Sequence, residues 1–166
     1  MATEALKSGF ITNRDATPKV LSNSSLVGGV LKSAVATLEM GTADLGSTYR
    51  MVEVPSNCLI HEIKIYADDV GTTGLIDVGV YRNTADGGAV VDADFFASAF
   101  DIKTAAVNGT DITHESAVFG LEDAEKPLWQ ALGLSSDPGY IYDIVITSTE
   151  AASAGGTLTL KVKYVI

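Results

Sequence analysis

From Lys32 onward, apolar positions recur with a period of two, the signature of half-buried strands. Ala34, Ala36 and Leu38 alternate with Val35, Thr37 and Glu39. Tyr49 to Val54 is rich in β-branched and aromatic residues and stops at the turn cluster Pro55-Ser56-Asn57. A strand from Cys58 to Tyr66 places Leu59, His61, Ile63 and Ile65 on one face. Leu75 to Arg82 puts Ile76, Val78 and Val80 opposite Asp77, Gly79 and Tyr81. Ala89–Val91 and Phe95–Ile102 read as two further short strands, and Ile112–Phe119 as a weaker one. The pattern is clearest at the end: Tyr140, Tyr142, Ile144 and Ile146 share a face, then Leu158, Leu160, Val162, Tyr164 and Ile166.

One segment departs from this rhythm. Glu122–Leu132 carries acids in its first turn, Pro127 near its start, apolar Leu128, Trp129 and Leu132 at helical spacing, and Gly133 beyond its end. It predicts a short helix capping the sheets, with Trp129 as its core anchor. About eight strands and one short helix predict an all-β antiparallel β-sandwich, jelly roll being the preferred topology. Residues 1–31 show no sustained period. Phe10, Ile11, Val20, Leu21 and Leu26 stand as apolar anchors in polar surroundings. This segment is expected to be an extended N-terminal arm or edge whose anchors contact a neighbouring subunit, with 32–166 as a single sandwich domain.

Composition narrows the function. Of 166 residues 46% are hydrophobic and only 19% charged, which argues against general disorder. The formal net charge is −10, with 11 scattered basic residues. Nucleic-acid binding rests on basic side chains that displace phosphate counterions, so direct binding to DNA or RNA is not expected. Nor is binding to a membrane, and no stretch approaches the roughly 18 apolar residues of a spanning helix. Cys58 is the sole cysteine and is expected to be a small buried hydrophobe. Met1–Phe10 lacks the apolar segment of a signal peptide, so synthesis and folding in a cytoplasm are expected.

Candidate chemistry is sparse. His61 and His114 are isolated in sequence and give no zinc-ligand spacing with Cys58. Asp92-Ala93-Asp94 resembles the start of a calcium loop, but Ala97 and Lys103 stand where its glycine and glutamate belong. There is no nucleophile elbow, P-loop or dinucleotide fingerprint. No catalytic residue, metal site or cofactor is expected, and the chain is not read as an enzyme.

Several phrases carry a family resemblance: Ala16-Thr17-Pro18, Tyr49 through Asn57, Asp77-Val78-Gly79-Val80-Tyr81 and Gly87 through Ser98. Lys126-Pro127-Leu128-Trp129, Leu132-Gly133-Leu134, Tyr142-Asp143-Ile144 and Gly155-Gly156-Thr157-Leu158 continue it. Over nearly its whole length the chain resembles small tailed-bacteriophage virion proteins, most closely the cement or decoration proteins of the head. The resemblance implies a structural protein made in the host bacterial cytoplasm and placed on the outer capsid surface of the virion. Its implied partners are the major capsid protein and further copies of itself, as a dimer or trimer bridging capsid subunits. The alternative is a carbohydrate-binding jelly-roll module of a phage fibre or spike, which requires exposed aromatics; Tyr49, Tyr66 and Tyr81 instead fall in strands.

Overall fold

The computed structural model describes residues 6–166, so the first five residues of the predicted arm lie outside the described residues. The described chain divides after Val30 into a short N-terminal unit and a β body.

The N-terminal unit is less extended than its sequence suggests. Ser8 caps helix α1 (Gly9–Asp15), its Oγ accepting from the Ile11 N–H at 3.3 Å. Ala16 and Pro18 stop the helix within two turns, too soon for any period to register. The chain then doubles back, and the Val20 N–H donates to the Asn13 carbonyl at 3.2 Å. An Asn23-centred turn follows, with the Ser25 N–H on the Asn23 Oδ1 at 2.9 Å.

The body consists of eight strands: β1 (Lys32–Met40), β2 (Thr48–Pro55), β3 (Leu59–Ala67), β4 (Leu75–Arg82), β5 (Val90–Asp101), β6 (Val107–Asp111), β7 (Ile141–Ser148) and β8 (Gly156–Val165). They form two antiparallel four-stranded sheets, ordered β1-β8-β3-β6 and β2-β7-β4-β5. The predicted all-β sandwich is therefore the observed fold. Pairing is nested: β1 with β8, β2 with β7, β3 with β6 and β4 with β5. The period-two faces read from the sequence meet in the core, where Ile63, Ile65, Val78, Val80, Ile144, Ile146, Leu158, Leu160 and Val162 are all fully buried. Each such aliphatic side chain contributes roughly 1.5–3 kcal/mol by leaving water.

Several boundaries differ from expectation. The two short strands expected at 89–102 are one continuous strand, β5. Its register on β4 slips from Val80↔Asp92 to Val78↔Ala97, so β5 carries extra residues opposite Gly79. That excursion turns the adjacent Phe95 and Phe96 both inward, where they pack with Phe119 at centroid distances of 5.0–5.5 Å. Ile112–Phe119 is turns, not a strand. Asp111 Oδ1 takes the Thr113 N–H and hydroxyl, and Thr113 Oγ1 takes the Ile63 N–H at 2.7 Å, so side chains replace the ladder there. The true strand, β6, is Val-Asn-Gly-Thr-Asp, an edge strand too polar to show a period.

The predicted helix over 122–132 shrinks to a 3₁₀ turn at Leu121–Asp123 and α2 (Leu128–Ala131). Pro127 separates them, having no N–H to donate and disfavouring helix in the residue before it. The first amides of α2 bond outward to the β2–β3 turn, Leu128 N–H to the Cys58 carbonyl and Trp129 N–H to the Ser56 carbonyl. That docking drives Leu128 into the core and leaves Trp129 half-exposed, so the anchor is Leu128 and not Trp129. His61 also leaves its expected face. The β3–β8 register shifts between Ile60 and Glu62, and the bulge carries His61 out to solvent.

Candidate assembly surface

Among residues 6–30 no side chain is buried. An apolar residue that stays wet contributes nothing to folding, so the unit has no hydrophobic core of its own. The predicted anchors are exposed accordingly: Phe10 by 44%, Val20 by 49%, Leu21 by 87% and Leu26 by 39%, while Ile11 is half-buried. The doubling-back of the chain gathers Phe10, Val20 and Leu21 around an open groove of about 460 Å³, joined by Val27 and by the cations Arg14 and Lys19. Ile11 and Leu26 do not line it. In the sequence Val27 sits beside Leu26 just before Gly28-Gly29 and reads as the end of the same apolar group.

The unit is also electrically distinct. Residues 1–30 hold three basic side chains and two acidic ones, a net +1; residues 31–166 hold eight basic and nineteen acidic, a net −11. Asp15 takes hydrogen bonds from Arg14 Nε at 2.8 Å and Lys7 Nζ at 2.9 Å. These pairs, Arg14 first, hold its carboxyl below the usual carboxylate range. Lys19 has no ion pair among the described residues.

On the body, the β5 excursion collects carboxylates that cap backbone amides. Asp77 Oδ1 accepts from the Ala99 N–H at 2.7 Å, and Glu115 Oε2 accepts from the Ser98 N–H at 2.8 Å. Burial raises the Asp77 carboxyl, and the negative charges of Asp94 and Glu115 push it further. Asp92 is raised as well, by burial and then by its hydrogen bond with Asp94. Immediately downstream, Val118 is 46% and Leu121 is 79% exposed, among the exposed acids Glu115, Glu122 and Glu125. The segment 115–125 is thus an acidic, apolar-tipped ridge.

The residues considered for chemistry do not assemble. Cys58 is buried in the core, which pushes its thiol up to about 12. His114 lies flat on Phe119 with Nδ1 on the Phe119 carbonyl at 2.8 Å, in the turns after β6, while His61 stands on β3. Among the described residues no three His, Cys, Asp or Glu side chains converge as a metal would require. Of the tyrosines that the sequence placed in strands, Tyr81 is buried with its hydroxyl on Thr147 Oγ1, while Tyr49 and Tyr66 are half-buried, Tyr66 with Lys161 Nζ 4.7 Å from its ring centroid.

Comparison with solved structures places this architecture. A chain from the cyanophage Pam1 capsid asymmetric unit superposes with a TM-score of 0.54 over 99% of both chains, at 17% identity. A chain from the capsid of Ralstonia phage GP4 gives 0.57 over 82% of this chain and 84% of that one, at 16% identity. The fold is one found in phage capsids. No protein-family model matches the sequence, and no curated protein matches it significantly. At such identities the likeness concerns the fold. Among the described residues no helix is long and apolar enough to cross a membrane.

Proposed function

We infer that this is a structural virion protein that binds the outer surface of a phage head as a symmetric oligomer and bridges adjacent subunits of the major capsid protein. The carrying observation is the end-to-end match of its fold to a chain of a phage capsid. The nested strand pairing 1–8, 2–7, 3–6 and 4–5 supports the jelly-roll form of that fold. The coreless N-terminal unit supports the assembly role, because its exposed apolar residues gain burial only against other protein. Bridging needs no chemistry: several weak contacts engaged together raise the effective affinity. The reading is therefore non-enzymatic. The burial of Tyr81 favours it over the carbohydrate-binding alternative.

Co-sedimentation with heads lacking the protein tests it. Saturable binding that raises the temperature at which heads release DNA is the expected result; no binding across a range of salt concentrations overturns it.

A further inference from the structure

We propose that the basic groove of the N-terminal unit docks on the acidic 115–125 ridge of a second copy of this chain, so that copies are joined by exchanged arms. The inference deepens the oligomer of the reading above and rests on it only for the existence of that oligomer.

The groove presents Phe10, Val20 and Leu21 beside Arg14 and Lys19. An occupant must offer apolar side chains to cover the first three and carboxylates to meet the cations. The chain itself carries that complement. Val118 and Leu121 protrude from the body flanked by Glu115, Glu122 and Glu125, and none of these three acids has an ion-pair partner among the described residues. The long-range field agrees in sign, a positive arm facing a body of net −11. Opposite potentials across an interface set its register and speed encounter, while the apolar contact supplies affinity. A groove that takes the ridge of another copy is a heterologous contact, which closes into a symmetric ring or dimer when both chains donate and accept.

The test is sedimentation velocity on the full chain without capsids, over a concentration series at low and high salt. The wild type is expected to self-associate, with an affinity that falls about tenfold or more as salt shortens the Debye length from ~10 Å toward 3 Å. Lys19→Glu alone, and Glu122→Lys with Glu125→Lys, are each expected to give monomers, and mixing the two proteins is expected to restore the oligomer. A monomeric wild type overturns the proposal, and so does rescue in the triple variant without rescue in the mixture, which marks an arm folded on its own body. An oligomer indifferent to all these variants overturns it too. Wild-type monomers that still coat heads leave the capsid reading standing while this one falls; oligomers that ignore heads do the reverse.

Discussion

Gly79 lies directly beneath the peptide joining Asp92 to Ala93: a Cβ at Gly79 would overlap the Asp92 and Ala93 carbonyl oxygens. The β5 excursion crosses at that point, and only a residue without a side chain lets its backbone approach β4 so closely. Gly79→Ala is expected to cost about 1–3 kcal/mol or more, since the clash is with backbone that cannot rotate away. Gly41→Ala is the control, for no atom lies within 4 Å of its added Cβ. Urea unfolding of the two variants checks the contrast.

Arg50 ties three segments together. Its guanidinium donates to the Arg82 carbonyl at 2.8 Å, the Gly88 carbonyl at 2.9 Å and Asp143 Oδ2 at 2.6 Å. Lysine cannot span such a fork. Arg50→Lys is expected to cost about 1–2 kcal/mol, with the 83–88 turn becoming the first site of limited proteolysis.

Leu128 and Trp129 exchange the ranks that size alone would give them. Leu128→Ala opens a cavity in the core and is expected to cost about 2–5 kcal/mol. Trp129→Ala, at a half-exposed position, is expected to cost less. The order of their denaturation midpoints settles the comparison.

Asp77 gives the body a pH signature of definite sign. Its folded-state carboxyl is raised, by burial first, so the native state holds this proton more tightly than the unfolded chain. The associated stability is present below the ordinary carboxylate pKa and is lost as pH rises through the raised value. Asp77→Asn keeps an oxygen for the Ala99 N–H and removes the charge. Its Tm is expected to exceed that of wild type at neutral pH, and the difference to shrink as pH falls below 4. Scanning calorimetry across that range reads it.

Cys58, with its thiol pushed up to about 12, is expected to resist an aromatic disulfide reagent at pH 8 in the folded protein. Its reaction rate then tracks global unfolding and rises with urea.

The strands that were legible in the sequence are those with one wet face, such as β8, where Leu158, Leu160 and Val162 alternate with polar neighbours. Illegible elements obey constraints from elsewhere in the chain. The polar edge strand β6 exists because β3 offers it hydrogen bonds, and α2 is cut short because its amides answer to Ser56 and Cys58. His61 moved through a bulge, which no period-two count can register. At the candidate surface the period-free, polar surroundings of Phe10, Val20 and Leu21 in the sequence match their exposure. The sequence did not yield the groove, since that depends on the return of Val20 to Asn13. The charge contrast was already present in the counts, although a net of −10 averaged over the chain hides it.

The position of β8 between β1 and β3 bears on how the molecule comes into being. Of that sheet's four strands, β8 is made after the other three, although it lies between two of them. Until it emerges, β1 has no partner in its sheet and β3 has only the short strand β6, and the β1–β8 contacts span more than a hundred residues. The apolar face of β1 therefore stays exposed on a nascent chain, and this sheet closes only after translation has delivered β8.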